Sequence, residues 1–161
     1  LMAQRGYRII TDDVSVFSMD ENGKPEVTPG PPCQKLWADT LEQLDIPADD
    51  LPRIRPQLEK YLLSVETYDG GPQHISRMYL LNTHNIDEIL FYPIKGMQRF
   101  NALNTQVRYR QLTTQMGYTK RNMPALTALA QHVALIRLTR PTTQPARLTE
   151  LMDRIEADMG S

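Results

Sequence analysis

Asp12 and Asp13 are adjacent carboxylates at the end of a short β-branched and aromatic run, Tyr7-Arg8-Ile9-Ile10-Thr11. Two such groups can divide one job. One ligates a Mg2+ that bridges nucleotide phosphates, while the other accepts a proton from an attacking hydroxyl. An Asp-Asp pair is also an ordinary turn, so its chemistry depends on what positions it. The preceding run is nearly all apolar, which predicts a strand over 7–11, buried on both faces, that delivers the acids to a sheet edge. Leu1-Met2-Ala3-Gln4-Arg5 reads as the last turn of a helix with Gly6 as its C-cap. The chain is therefore expected to begin in mid-domain.

With 161 residues the chain suits one domain, 1–161, with a sizeable core. A net charge of −1 and a pI near 6.3 give no global pull toward nucleic acid or a membrane. No apolar run approaches the roughly 20 residues that span a bilayer, and no secretory signal pattern opens the chain. Cys33 is the single cysteine, so no internal disulfide forms and a cytoplasmic, reducing setting is expected. It lies in a proline-rich loop and is read as incidental.

The small net charge hides a segregation. Residues 1–88 hold fifteen acids and eight bases, and residues 150–161 add four acids and Arg154. Between them, residues 89–149 carry nine bases and no acid. Either this is a solvated basic face or it meets polyanions, with phosphates the obvious candidates.

Val14–Met19 and Pro25–Thr28 flank Asp20-Glu21-Asn22-Gly23 and predict a β-hairpin. Pro29-Gly30-Pro31-Pro32 must be loop. Trp37, Leu41 and Leu44 recur at helical spacing and predict a short helix over 35–44. Strands are expected at 61–65, 78–81, 89–94 and 133–138, with Pro93 marking a sheet edge or a strand end. Met97, Phe100, Leu103 and Val107 form a helical stripe running to Gly117, and Pro124–His132 a further helix with Pro124 in its first turn. Leu148, Leu151, Met152 and Ile155 mark a closing helix. Six or seven strands interspersed with four helices imply an α/β domain with a mixed β-sheet flanked by helices. Trp37 and the methionines are assigned to the core. His74, His84 and His132 lack metal-ligand spacing.

Ala3-Gln4-Arg5-Gly6-Tyr7-Arg8-Ile9-Ile10-Thr11-Asp12-Asp13-Val14 resembles the segment that follows the phosphate loop in the HPr kinase/phosphorylase superfamily. It looks closest to the shorter serine-kinase-like relatives. Pro29-Gly30-Pro31-Pro32-Cys33-Gln34-Lys35-Leu36-Trp37 is similar to their proline-rich loop and Lys-Leu-Trp helix start. Arg55-Pro56, Lys60-Tyr61, Tyr109-Arg110 and Leu138-Thr139-Arg140-Pro141 match further elements, so the resemblance covers nearly the whole chain. It implies a P-loop kinase fold akin to phosphoenolpyruvate carboxykinase, using ATP and Mg2+ to phosphorylate a serine of a protein or peptide. Asp12 would be the base and Asp13 the metal ligand, with exchange of the two roles left open.

The resemblance also makes Lys35, Arg55, Lys60 and Arg108 candidates for substrate or transferred phosphate, and Arg110 and Arg140 candidates for nucleotide. Arg108 and Arg110 flank Val107 on the expected long helix, about 100° and 60° from it in opposite senses. The superfamily's Gly-Lys-Ser/Thr loop is missing from these residues. Two explanations stay open: the sequence is the portion of a longer chain after that loop, which the capless helical start favours, or it is a remnant that does not bind ATP alone. HPr kinases form oligomers, so homo-oligomerisation is a further expectation. The alternative function is a non-catalytic module whose basic segment docks a phosphorylated or acidic partner. Nucleic acid is the weakest partner class, because the few aromatics of 89–149 are claimed by core periodicity.

Overall fold

The computed structural model describes residues 1–66, 68–142 and 147–160, and of Arg110 only the backbone. It is mixed α/β. Residues 1–161, expected as one domain, divide into two compact units, Leu1–Val16 with Val27–Gln73 and Phe17–Glu26 with His74–Ser161.

In the first unit a 3-10 turn, Ala3–Arg5, ends at Gly6 in the left-handed conformation, φ 89°, as its cap pattern predicts. The expected strand over 7–11 does not form. Ile9 makes a single bridge, and Tyr7 is exposed. The backbone is instead pinned from two loops. Gly30 N–H donates to the Ile10 carbonyl at 2.8 Å, and Tyr68 N–H donates to the Ile9 carbonyl at 2.8 Å.

Cys33–Trp37 (β3) pairs antiparallel with Lys60–Ser64 (β4), Cys33 opposite Ser64 and Trp37 opposite Lys60. Only Ala38–Gln43 (α1) is helical. The helix expected over 35–44 thus loses its start, because pairing with β4 satisfies the 33–37 backbone and places Trp37 against Lys60. Trp37 is half-exposed, against its assignment to the core.

Val16–Met19 (β1), Pro25–Thr28 (β2) and Gln73–His74 (β5) form a sheet of order β1-β2-β5. The β1–β2 hairpin turns where predicted, with Gly23 at φ 76°.

In the second unit, Arg77–His84 (β6) pairs parallel with Ala134–Pro141 (β8), which pairs antiparallel with Leu90–Pro93 (β7). The sheet is mixed, with Pro93 at the end of an edge strand where its missing N–H costs least. Successive β8 side chains alternate faces. Leu135 joins Ile94, Leu103, Leu126, Leu129 and Val133 in one buried cluster, and Leu138 joins Ile89 and Leu151 in another. The first is filled by Met97–Thr105 (α2) and Thr119–His132 (α4), the second by Leu148–Met159 (α5). The closing helix is placed as its apolar stripe predicts.

The single helix expected from Met97 to Gly117 breaks. It ends at Thr105, and Arg110–Gln115 (α3) starts afresh after Tyr109, which sits at φ 52°. Pro124 lies inside α4 and not in its first turn. No helix among the described residues is long and apolar enough to cross a membrane.

Candidate active site

Asp12 and Asp13 lie in a bend whose closure is local. Thr11 Oγ1 donates to the Val14 carbonyl at 3.1 Å, so the two carboxylates stand between the ends of one hydrogen bond. The same threonine is packed under Gly30: a Cβ built there would stand 2.6 Å from Thr11 Oγ1 and 3.1 Å from Thr11 Cβ. The proline-rich loop comes this close only because residue 30 has no side chain.

Lys35 gathers both acids. Its backbone N–H donates to Asp12 Oδ2 at 2.9 Å, and its Nζ donates to Asp13 Oδ2 at 2.9 Å. Strand geometry explains the first bond. Lys35 stands opposite Leu62 in the β3–β4 register, and Leu62 N–H donates away, to the Pro52 carbonyl. The two form a non-hydrogen-bonded pair, which turns the Lys35 N–H outward to the free side of β3. The Lys35 and Asp13 side chains are 38% and 43% exposed, so the ion pair is open to a ligand. The hydrogen bond from Lys35 to Asp13 and the carboxylate charge hold the ammonium protonated above its ordinary range.

Three predicted residues, Asp12, Asp13 and Lys35, therefore meet. Lys60 stands opposite Trp37, two residues from Lys35 on β3, and so shares the face on which Lys35 projects. Its amine lies 5.4 Å from the centre of the Trp37 ring, a cation–π contact. Arg55 is exposed in the loop before β4, and its carbonyl accepts the Leu58 N–H.

The remaining candidates belong to the second unit. Arg108 is in the turn between α2 and α3, its guanidinium 4.7 Å from the centre of the Tyr109 ring. The helix break removes the common helical frame from which its angle to Arg110 followed. Arg110 opens α3, and its side chain lies outside the described residues. Arg140 is on β8 opposite Thr83 and donates to the Pro141 carbonyl at 3.3 Å. Other bases of the acid-free segment serve the fold. Arg99 donates to the Val133 carbonyl, and Arg147 pairs with Asp87 at 3.0 Å and with Glu150.

Hard carboxylate oxygens are the donors that Mg2+ takes, commonly one or two from protein with the rest from phosphate and water. Asp12 and Asp13 fit that requirement, with one oxygen of Asp13 shared with the Lys35 ammonium. A second acidic cluster escaped the sequence. Asp20, Glu26 and His74 bring one ligand atom each within 4.8 Å, with the imidazole 3.8 Å from either carboxylate. No spacing signals it, because the turn after β1, strand β2 and strand β5 supply one residue each. Asp20 is already occupied in capping the hairpin. Its Oδ1 accepts the Asn22 and Lys24 N–H groups, and the Lys24 bond leads in lowering its pKa.

Comparison of the chain with protein-family profiles, curated proteins and solved structures finds no match.

Proposed function

We propose that this chain carries the metal-and-base half of a serine phosphotransferase site of the HPr-kinase-like, P-loop kinase type. The observation that carries the proposal is the convergence of Asp12, Asp13 and Lys35 in one half-exposed cluster. Asp13 would hold Mg2+, which when bound neutralises nucleotide phosphate charge. Asp12, fixed by the Lys35 amide, would take the proton of the acceptor serine hydroxyl. Lys35 and Lys60, on one face of β3–β4, would supply positive charge for the phosphoryl oxygens. The superfamily's Gly-Lys-Ser/Thr loop is not among these residues, so they account for one half of such a site and not for the nucleotide's phosphate cradle.

The test is transfer of γ-labelled phosphate from ATP to serine peptides by the protein encoded by the full-length gene. Asp12→Asn and Asp13→Asn should each lower the rate on the order of 10²–10⁴. Transfer unchanged in both variants, or no Mg2+-dependent transfer in the parent, would sink the proposal.

A further inference from the structure

Strand β3 has two edges, and only one is paired. It forms a two-stranded sheet with β4, so its other edge carries no strand among the described residues. The register decides which backbone groups face that edge. Ala38 N–H donates to the Glu59 carbonyl and Val65 N–H to the Pro32 carbonyl, which makes these the hydrogen-bonded pairs flanking the ladder. Such pairs alternate with open ones along antiparallel strands. Cys33, Lys35 and Trp37 therefore turn their N–H groups outward. The first is closed by the Pro31 carbonyl at 2.8 Å and the second by Asp12 Oδ2 at 2.9 Å. The Trp37 N–H and the Lys35 carbonyl have no hydrogen-bond partner among the described residues. Trp37 is extended there, at φ −76° and ψ 157°, and 49% exposed.

We infer that an extended serine peptide adds to this edge as a parallel strand, its acceptor serine beside Lys35. Added strands are held by main-chain bonds and selected by alternate side chains. An antiparallel strand would need both groups of one residue. Asp12 holds the Lys35 N–H, and Trp37, as the N-cap of α1, gives its carbonyl to the helix. A parallel strand needs the Lys35 carbonyl and the Trp37 N–H, which flank Leu36, and one peptide residue opposite Leu36 takes both. The residue before it then lies beside Lys35, where Asp12 and Asp13 converge. The residue after it lies beside Trp37, and both side chains fall on the face of Lys35 and Trp37. Counted from the serine, the backbone at +1 is bonded to β3 and the side chain at +2 meets the indole. Lys60 approaches that ring from β4, and an aromatic neighbour on the other side makes a favoured cross-strand pair. The choice of serine rests on the phosphotransferase reading, whereas the open edge does not.

Trp37 is the sole tryptophan, so its emission reports directly on the edge. The probe is a blocked peptide containing Ser-Ala-Phe. Three relatives carry Ala for Phe, an N-methyl group at +1, or an N-methyl group at +2, where the nitrogen faces away from β3. The probe and the +2 methyl peptide should shift the emission of the chain at similar concentrations. The Ala relative and the +1 methyl peptide should bind about tenfold more weakly. In the full-length protein, the kcat/KM ratio of Phe to Ala peptide should also be about ten. It should fall to near one in Trp37→Ala and recover in part in Trp37→Phe. No emission change, or an equal response to the two N-methyl peptides, overturns the inference. Transfer that ignores both Phe and the +1 methyl group overturns it as well, while the phosphotransferase reading survives. Selective binding without transfer to any peptide supports the strand edge and removes the phosphotransferase reading instead.

Discussion

Lys35 Nζ lies 2.9 Å from Asp13 Oδ2, across 22 positions of sequence, while the backbone N–H of the same lysine holds Asp12. A raised lysine pKa means that the pair's contribution to stability is fully present below the ordinary value of 10.5 and is lost as pH rises through the folded value. The difference in unfolding free energy between the parent and Lys35→Met should stay flat from about pH 6 to 9 and shrink above 10.5. Urea titrations at stepped pH measure it. A difference that grows with alkali would contradict the pairing.

Gly30→Ala should be the more damaging change near the site. The new Cβ meets Thr11 Oγ1 at 2.6 Å and Thr11 Cβ at 3.1 Å, and a β-branched side chain yields little. Swinging Oγ1 aside would also break its bond to the Val14 carbonyl. The expected loss is about 1–3 kcal/mol in urea unfolding. Thr11→Ala in the same chain should recover a large part of it, since the two residues share one contact. Strictly additive effects would show that the close approach is absent.

These contacts explain what the sequence could and could not announce. Local chemistry was legible: Gly6 and Gly23 fall at positive φ where their turns require it, Pro93 ends an edge strand, and the Leu148–Leu151–Met152–Ile155 stripe covers its sheet. Tertiary competition was not. Trp37, Leu41 and Leu44 have a helical apolar spacing over 35–44, yet Trp37 and its neighbours on 33–37 gain a full antiparallel ladder with β4. Ile9 and Ile10 are apolar enough for a buried strand, but loops bonded to their carbonyls take the place of neighbouring strands. Asp12, Asp13 and Lys35 were each visible as candidates, and only the fold discloses that one lysine holds both acids. The break at Tyr109 carries no glycine or proline to mark it, which is why one long helix was expected.

Tyr79 and Asp158 tie the end of α5 to β6. The Tyr79 hydroxyl donates to Asp158 Oδ2 at 2.6 Å, and Arg77 reaches the same oxygen at 2.9 Å. Burial leads in raising the tyrosine's pKa above 10.0, so ionising it is harder in the folded state than in the unfolded one. The resulting stability is present below the ordinary value and declines as pH climbs beyond it. Tyr79→Phe should cost about 0.5–1 kcal/mol near neutral pH, a modest figure for a part-exposed bond. It should also flatten the decline in stability above pH 10.0. Parent and variant curves that stay parallel through that range would remove Tyr79 as the titrating group.

Asp45 ends α1 in a position that asks for glycine. Its N–H donates to the Glu42 carbonyl at 3.1 Å and the next N–H, of Ile46, to Leu41 at 3.0 Å, the paired bonds of a Schellman cap. The cap forces Asp45 to φ 55°, where a Cβ crowds the following carbonyl. Aspartate tolerates this better than most residues, but glycine meets no such penalty. Asp45→Gly should therefore stabilise the chain by about 1 kcal/mol, the left-handed strain less the added backbone entropy of the unfolded state. Asp45→Val should do the opposite, since a β-branched side chain is worst in that region. A rise in the urea midpoint for glycine and a fall for valine is the expected pair. Equal midpoints would mean that the helix ends without this cap.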